Sequence, residues 1–251
     1  MISLKGKKAL ITGGNSGIGF ATAQKFKALG AEVVITGRDK DALNKASSEL
    51  GVQAILADQA KMDDLSQLAV QIEEQLGKLD ILFINAGITV FAPVGKMDEA
   101  TFDNIMNINF KGAFFTLQKL LPLLNDGASV INLSSINAYT GMPNTAVYAA
   151  SKAAMNAVTR TAATELAPRK IRVNSVNPGP VNTPIFGKLG MSQEVLSELS
   201  ATMQNRIPLK RFGEAEDIAK LVAFLASDEA SFITGSEYNI DGGTNINPIL
   251  P

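Results

Sequence analysis

The stretch Lys8-Ala-Leu-Ile-Thr-Gly-Gly-Asn-Ser-Gly-Ile-Gly19 determines how the rest of the chain is interpreted. Its first five residues are mostly apolar and predict a short buried strand, and the following pattern predicts a helix from about Ile18 to Leu29. The glycines between them permit a tight turn, although three glycines often form nothing more than a turn. Strand, turn and helix together predict the first unit of an α/β fold.

Short apolar β-branched runs alternate with helical patterns along the remaining chain. Continuous apolar strands separated by helices indicate a parallel sheet that is covered on both faces. With right-handed crossovers, this arrangement predicts a single α/β domain over residues 1–251, a doubly wound parallel seven-stranded sheet with helices on both faces. The predicted strands are Lys8–Thr12, Glu32–Thr36, Val52–Ala57, Leu79–Asn85, Ala128–Ser134, Ile171–Asn177 and Glu237–Asp241, and the further predicted helices are Lys40–Leu50, Met62–Leu76, Phe102–Leu124 and Val147–Ala167.

A long connection, Gly179 to Gly213, follows the sixth predicted strand without a clear strand pattern of its own. It contains three prolines and a short amphipathic segment near Ser192–Met203. Long connections in compact domains are usually functional, and this one begins at the strand end where open α/β sheets bind ligands. We therefore predict a substrate lid at about residues 184–212, with the apolar side chains Ile185, Phe186, Leu189 and Met203.

The composition of the 251 residues excludes several kinds of chemistry. The formal net charge is −1, which gives no electrostatic reason to expect a nucleic-acid partner. The chain contains no cysteine and no histidine, so it has no disulfide framework, thiol nucleophile, Cys/His zinc site or Ser-His-Asp triad. We expect no metal site, and acid/base chemistry near pH 7 must use a perturbed Tyr, Lys, Asp or Glu.

The N-terminal residues Met1–Lys8 carry charges and lack the apolar core of a secretory signal. No window approaches the roughly 20 apolar residues that a membrane span requires. We therefore expect a cytoplasmic protein that does not enter a membrane.

The glycine-rich turn has the spacing Gly13-x-x-x-Gly17-x-Gly19, a longer variant of the usual GxGxxG pattern. Glycines at the start of a helix let the backbone approach a pyrophosphate, which the helix N-terminus attracts. Because the turn follows a strand and opens a helix, we favour a dinucleotide site over a simple turn. The contact residues predicted here are Gly13, Asn15, Ser16, Gly17, Ile18 and Gly19.

The end of the second strand predicts which dinucleotide binds. An acidic residue there would bind the ribose 2′-hydroxyl of NAD, whereas an arginine suits the 2′-phosphate of NADP. Gly37 occupies the position of that acid and Arg38 follows it, while Asp39 is better explained as the N-cap of the next helix. We therefore predict NADPH/NADP+ in preference to NAD(H).

Tyr148 and Lys152 lie four residues apart in a predicted helix, so both side chains leave the same helical face. A free tyrosine has a pKa of about 10, and a neighbouring ammonium would lower that pKa toward the range useful for acid/base catalysis. Taken alone, the pair could equally be two residues on a solvated helix face.

Over essentially its whole length the chain resembles the short-chain dehydrogenase/reductase family, whose members have a Rossmann fold. The resemblance rests on separated motifs that occur in the family's order. These motifs are Thr12-Gly13 with Gly17-Ile18-Gly19, Asp58, Asn85-Ala86-Gly87, Asn109, Ser135, Tyr148 with Lys152, and Asn177-Pro178-Gly179 leading to Thr183.

The resemblance implies four catalytic residues. Tyr148 would exchange a proton with the substrate oxygen, and Ser135 would hold that oxygen; Ser134 is the competing serine, but the family's spacing to the tyrosine selects Ser135. Lys152 would lower the tyrosine pKa and bind the nicotinamide ribose. Asn109 would bind a water in a proton relay, unless it merely bonds its own helix backbone.

The resemblance also implies the remaining cofactor contacts. Asp58 would accept a hydrogen bond from the adenine amino group, with an ordinary strand-end turn residue as the alternative. Asn85, Ala86 and Gly87 would border the adenosine ribose. The nicotinamide, which Tyr148 and Lys152 also border, would lie against Pro178, Gly179, Val181 and Thr183.

The substrate is the least determined feature. The segments Leu-Pro-Leu-Leu-Asn-Asp-Gly (121–127) and Thr-Gly-Gly-Asn-Ser-Gly-Ile-Gly (12–19) resemble bacterial NADPH-dependent ketone reductases (secondary alcohol dehydrogenases). An apolar lid and the pocket-facing stretch Ile136–Tyr139 favour a hydrophobic ketone. A 3-oxoacyl-[acyl-carrier-protein] reductase is the alternative, although Asp126 replaces the basic residues expected before the fifth strand and leaves only Arg169 and Lys170 nearby.

A non-catalytic NADP(H)-binding regulator is a remote alternative, because such a protein would be expected to lose Tyr148 or Lys152. The family commonly forms tetramers through the helices around Phe102–Leu124 and Val147–Ala167 and through the C-terminal segment. The resemblance therefore implies a homotetramer that acts on a small carbonyl or alcohol substrate.

Overall fold

The computed structural model describes residues 2–183 and 193–246, and over residues 193–199 it describes the backbone alone. The strands in these residues are β1 (Lys8–Ile11), β2 (Glu32–Gly37), β3 (Gln53–Leu56), β4 (Leu79–Ile84), β5 (Leu124–Leu133), β6 (Arg172–Pro178), β7 (Val181–Asn182), β8 (Gly213–Glu214) and β9 (Glu237–Ile240). The α-helices are α1 (Gly17–Ala28), α2 (Lys40–Leu50), α3 (Met62–Leu76), α4 (Glu99–Met106), α5 (Ala113–Leu120), α6 (Ala146–Leu166), α7 (Gln193–Arg206) and α8 (Ala215–Ala226).

Seven of the strands form one parallel sheet in the order β3-β2-β1-β4-β5-β6-β9, which confirms the predicted fold class. The chain first builds outward from β1 to β3 and then returns to place β4 beside β1. Ligands of open α/β sheets bind outside the carboxyl ends of the strands at such a reversal. The glycine-rich turn follows β1, so the fold places it at this reversal.

Helices bury both faces of the sheet. Successive side chains of a strand point to opposite faces, so each strand contributes to both layers of the core. Leu10, Leu82 and Val130 pack with α3, α5 and α6 on one face. Their neighbours Ile11, Phe83 and Ile131 pack with α1, α2 and α8 on the other. This double burial explains why the strands are continuous apolar runs.

The predicted helix Phe102–Leu124 is wrong at both ends and in its middle. It begins at Glu99, because the Asp98 carboxylate caps it by accepting a hydrogen bond from the Thr101 amide at 2.8 Å. A π-helical turn, Asn107–Gly112, separates α4 from α5. The sequence shows no proline or glycine pair that would mark this interruption.

The fifth strand begins at Leu124 and not at Ala128, so it extends into what was predicted as helix. Gly127 has a φ of +83°, and the register against β4 shifts between Leu79 and Ile81. An irregularity of this kind hides the start of a strand from a simple period-two pattern.

Helix α8 was missed by the sequence pattern. It is apolar on the face that packs against the sheet beside α1, and it begins with a capping box in which Glu214 and Asp217 each accept a backbone hydrogen bond. That box was the available signal.

The predicted lid is described only in part. The segment predicted at Ser192–Met203 overlaps helix α7, which is described from Gln193 to Arg206, and β7 pairs with β8 near the two ends of the connection. Residues 184–192, which include Ile185, Phe186 and Leu189, lie outside the described residues. The lid therefore remains a prediction.

None of the helices in the described ranges is both long and apolar enough to cross a membrane.

Candidate active site

The glycine-rich turn folds closely onto itself at the start of α1. Gly13 and Gly17 have φ values of +64° and +54°, a region that favours glycine. A Cβ on Gly19 would lie 2.3 Å from the Gly13 carbonyl oxygen, and one on Gly14 would lie 2.5 Å from Ile35 Cγ2. Larger side chains at these two positions would push the turn apart. The sequence motif did not predict that position 14 requires glycine.

The N-terminus of α1 is open to an anion. Its N-cap Ser16 makes no side-chain cap, and no acidic residue lies in the first turn. The first amides of a helix lack intrahelical partners and carry a partial positive charge. The turn therefore fits a pyrophosphate, as predicted from its spacing.

Thr12 and Asn85 join the turn to the end of β4. The Thr12 hydroxyl oxygen accepts from the backbone amides of Asn85 and Ala86, both at 3.0 Å. The Asn85 side chain donates to the carbonyls of Thr12 at 2.8 Å and Gly13 at 3.0 Å. Because that amide is committed to the turn, a ribose contact at this strand end would fall to Ala86 and Gly87.

The end of β2 is shaped as the cofactor prediction requires. A Cβ on Gly37 would lie 2.9 Å from Asn15 Oδ1, so the Asn15 side chain covers this glycine. Asp39 caps α2 by accepting from the Ala42 amide at 3.0 Å, as predicted. Arg38 is exposed and makes no hydrogen bond or ion pair with residues 2–183 or 193–246. Its guanidinium is thus available to a phosphate.

Asp58 follows β3 and is partly buried. One of its carboxylate oxygens accepts from the Ala60 amide at 3.0 Å, and its own amide donates to Asp64 at 2.9 Å. These bonds describe a strand-end turn, and they leave the second carboxylate oxygen without a partner among the described residues. The turn interpretation is therefore confirmed, and the adenine contact stays a prediction.

Lys152 is buried behind Tyr148 on α6. Only 4% of Lys152 is exposed, and its ammonium donates to the Leu133 carbonyl at 2.7 Å. Its Nζ lies 5.8 Å from the centre of the Tyr148 ring. Burial lowers the pKa of Lys152 to about 8.

The expected lowering of the Tyr148 pKa by Lys152 is wrong for the protein on its own. Burial raises the pKa of Tyr148, and a hydrogen bond with the Ser135 side chain opposes that rise. Burial disfavours the charged form of either group, so it moves the two pKa values in opposite directions. The four-residue spacing on a helix does not predict how far the two side chains are buried from solvent.

The two adjacent serines have different partners. Ser134 donates to the Lys152 carbonyl at 3.0 Å and so holds α6 against β5. Ser135 accepts from the Asn137 amide at 3.1 Å and interacts with Tyr148. This geometry favours Ser135 as the serine that faces a substrate oxygen.

Asn109 lies in the π-helical turn and is 1% exposed. Its side chain accepts from the Ile88 amide and donates to the Ile88 carbonyl, both at 2.8 Å, and it also donates to Ser151 at 3.2 Å. The alternative that Asn109 bonds its own helix backbone is therefore wrong. A Cβ on Gly87 would lie 3.2 Å from Asn109 Oδ1 and 3.5 Å from Lys152 Nζ, so this glycine separates the two side chains.

The last group of predicted contacts lies at the end of β6. Pro178 is buried, and a Cβ on Gly179 would lie 2.6 Å from Asp241 Cβ. Val181 is held in β7 beside Gly213, and Thr183 is the last residue before the undescribed segment. All four follow the carboxyl end of β6, next to β5, which leads into Ser135.

Within the described part of the chain, no group of three or more Asp or Glu residues could hold a metal ion.

The chain is similar to known proteins over nearly its whole length. A family profile described as enoyl-(acyl carrier protein) reductase matches residues 13–245. The chain is 38% identical over 247 residues to a 3-oxoacyl-[acyl-carrier-protein] reductase of Thermotoga maritima, with 96% of this chain and 98% of that protein covered. It is 36% identical over 249 residues to an NADP-dependent (R)-specific alcohol dehydrogenase of Lentilactobacillus kefiri, with 96% and 97% covered.

Among solved structures, a short-chain type dehydrogenase/reductase from Mycobacterium marinum superposes with a TM-score of 0.89 at 33% identity, covering 100% of this chain and 98% of that one. A protein titled short chain dehydrogenase/reductase family protein matches with a TM-score of 0.85 at 38% identity, covering 97% and 99%.

The burial of Lys152 predicts a pH-dependent stability. Its pKa is lowered from 10.5 to about 8, so between these values the unfolded chain binds more protons than the native state. Stability is therefore reduced below pH 8, by up to about 3 kcal/mol, and recovers as the pH rises toward 10.5. We expect Lys152→Met to be more stable than wild type at neutral pH, with an advantage that shrinks at alkaline pH.

Urea unfolding of the cofactor-free protein across this pH range measures the difference. Lys45→Met, at an exposed position of α2, is the matched control and should show no such trend. A Lys152→Met advantage that stays constant with pH would show that burial does not shift this group.

Proposed function

The chain belongs to the short-chain dehydrogenase/reductase family, an oxidoreductase family acting on CH–OH and carbonyl groups, and on that premise we propose that it interconverts a ketone and a secondary alcohol with NADP(H). The observation that carries the proposal is the grouping of Ser135, Tyr148 and buried Lys152 beside Gly87. These groups face the sheet edge where the glycine-rich turn fits a pyrophosphate. When bound, the nicotinamide would supply or accept the hydride.

The chain's own residues handle the substrate oxygen and its proton. Ser135 would donate a hydrogen bond to the oxygen as negative charge develops on it during reduction. The Tyr148 hydroxyl would transfer its proton to that oxygen, and it would take the proton back in oxidation. The phenol of Tyr148 is protonated at neutral pH, and because burial raises its pKa, loss of that proton needs a nearby group that stabilises the tyrosinate.

Lys152 and Asn109 would manage the proton behind Tyr148. The Lys152 ammonium would stabilise the tyrosinate that remains after donation, since opposite charges attract strongly in a dry site. Asn109 has both side-chain groups bonded to Ile88, so it holds that segment against α6. The proposed relay water would lie between this asparagine and Lys152, across Gly87.

Arg38 and the covered Gly37 support NADP(H) as the cofactor. No acid is free at the end of β2 to bind a ribose 2′-hydroxyl, since Asp39 is used as a helix cap. An unpaired arginine there would instead bind a 2′-phosphate. The similar alcohol dehydrogenase from Lentilactobacillus kefiri is described as NADP-dependent.

A cavity beside the catalytic helix supports an apolar substrate. It has a volume of about 380 Å³ and adjoins Val147, the residue before Tyr148. The lining residues are Ala92, Val94, Met97, Asp98, Glu99, Phe102, Ala146 and Val147. Most of these side chains are apolar, which suits a hydrophobic ketone better than a sugar.

A 3-oxoacyl-[acyl-carrier-protein] reductase is the second candidate, because several similar proteins carry that description. Such an enzyme needs basic residues for its acidic partner. Arg169 forms an ion pair with Asp126 at 2.9 Å and donates to two backbone carbonyls, so its charge is already used. This pairing favours a ketone that is not attached to a carrier protein.

A non-catalytic regulator is disfavoured by the presence of Ser135, Tyr148, Lys152 and Asn109.

We further propose that the protein is a cytoplasmic homotetramer. Phe102 on α4 and Phe114 on α5 are 45% and 39% exposed in the single chain, and Ile246 near the C-terminus is 82% exposed. Apolar side chains exposed on one helical pair suit contact with other copies.

Light scattering should give about four times 26.5 kDa, and the mass of a single chain would contradict the tetramer.

The role of Tyr148 predicts a selective loss of turnover. We expect Tyr148→Phe to reduce NADPH-dependent turnover by about 10²–10⁴-fold, because the proton donor is lost. NADPH binding should change little, since the ring remains. Tyr238→Phe, on β9, is the matched control and should keep wild-type turnover.

The assay is oxidation of NADPH, with NADH in parallel, against acetophenone, glucose and an acetoacetyl thioester. The proposal predicts the highest kcat/KM for the aromatic ketone. Near-normal turnover in Tyr148→Phe would refute the mechanism, whereas preference for the thioester would favour the carrier-protein reductase.

If Arg38 binds the 2′-phosphate, its replacement should change the preference for NADPH over NADH. Removing a charged partner of the 2′-phosphate should weaken NADPH binding by about tenfold or more in Arg38→Ala and leave NADH binding unchanged. Fluorescence titration with each cofactor measures both affinities, and Lys45→Ala controls for the loss of one positive charge nearby. An equal effect of Arg38→Ala on the two cofactors would overturn the assignment.

A further inference from the structure

Gln59 is a buried amide that lies between two parts of the active site. It follows Asp58 at the end of β3, and 6% of it is exposed. Its side-chain nitrogen donates to the Ala86 carbonyl at 3.1 Å and to the Ile108 carbonyl at 2.9 Å. Both amide protons of Gln59 are therefore used, on two segments that are distant in sequence.

The orientation of this amide is determined by its partners. Both of them are carbonyl oxygens, so a flipped amide would place Oε1 against two acceptors. In the observed orientation Oε1 is buried and has no partner among the described residues. An unpartnered buried acceptor costs about as much stability as the two hydrogen bonds contribute. Net stability alone therefore does not account for a glutamine here.

One of the two partners belongs to the π-helical turn Asn107–Gly112. A π turn departs from the regular i to i+4 hydrogen-bond ladder, and its carbonyls then need other partners. Gln59 supplies one to Ile108, the residue immediately before Asn109. At the end of the same turn, a Cβ on Gly112 would lie 2.2 Å from the Gln59 carbonyl oxygen. The π turn thus contacts Gln59 at two points, Ile108 and Gly112.

The other partner leads to the cofactor side of the site. The Ala86 amide donates to the Thr12 hydroxyl oxygen, a hydrogen bond that joins β4 to the glycine-rich turn, and Ala86 precedes Gly87. Gly87 lies between Asn109 and Lys152. A single side chain therefore links the segment that carries Asn109 to the segment that borders Lys152.

We propose that Gln59 is a positioning residue, whose amide sets the spacing between the Asn109 turn and the Ala86–Gly87 turn around Lys152. The inference rests on the proposed oxidoreductase function, because it assigns Gln59 a purpose in that site. Gln59 touches neither Tyr148 nor Ser135 in the hydrogen-bond pattern, so it acts through Asn109 and Gly87.

The test uses Gln59→Met, which keeps the length of the side chain and removes both donors. We expect kcat for acetophenone reduction to fall by about 10- to 100-fold, because small misplacements of catalytic groups have effects of this size. KM for acetophenone should stay within about threefold, since the substrate pocket is not touched.

Asn174→Leu is the matched control. Asn174, in β6, is a fully buried amide that donates to the Ile233 carbonyl at 2.9 Å and accepts from the Ser236 amide at 3.1 Å, away from the site. Asn174→Leu should lose stability without any change in kcat. Equal losses of kcat in the two variants, or wild-type kcat in Gln59→Met, would overturn the proposal.

Amide hydrogen exchange over residues 107–112 supplies a readout that needs no turnover. Exchange should accelerate in Gln59→Met and stay at the wild-type rate in Asn174→Leu. If wild type reduces none of the carbonyl compounds, the proposed function fails, and unchanged exchange over 107–112 would then separately refute the role of Gln59. Gln59→Leu, which also lacks both donors and adds no charge, gives the same comparison if Gln59→Met does not fold.

Discussion

The hydrogen bonds between Thr12–Gly13 and Asn85–Ala86 are the constraint on which the site depends. They join the carboxyl ends of β1 and β4 at the point where the sheet reverses its order. Without them the glycine-rich turn would be a flexible loop, since four of its residues are glycine and two of these have positive φ. With them, the start of α1 and the Ala86–Gly87 turn keep a fixed distance. The glycine-rich turn and the segment beside Lys152, the proposed pyrophosphate and catalytic sites, are thereby held at the same edge of the sheet.

Burial then sets the chemistry at that edge. Lys152 is held at 4% exposure with one hydrogen bond to Leu133, an arrangement that penalises its charge and moves its pKa to about 8. Burial also raises the pKa of the partly exposed Tyr148, which moves it away from neutral pH. In a chain without histidine, burial of Lys152 therefore brings one ionisable group closer to neutral pH.

Features with a local cause were predictable from the sequence. Helices α2 and α3 have the predicted bounds, because Asp39 caps the first and a regular apolar period defines the second. Each of the seven strands was expected, since a parallel sheet buried on both faces leaves continuous apolar runs. The glycine-rich turn, Arg38 and the Tyr148–Lys152 pair were also recognisable as motifs.

Features that depend on distant contacts were not predictable. The π turn occurs where Gln59 and Ile88, from other segments, hydrogen-bond with Ile108 and Asn109. The sequence of residues 107–112 does not predict these hydrogen bonds. The sign of the Tyr148 pKa shift likewise depends on how the site is packed and not on residue spacing. The structure changes the meaning of the helical pair for this reason. Burial favours the neutral phenol of Tyr148 and disfavours the Lys152 ammonium, so the spacing of the two residues predicts that they are neighbours, whereas the packing around them decides which charges they carry.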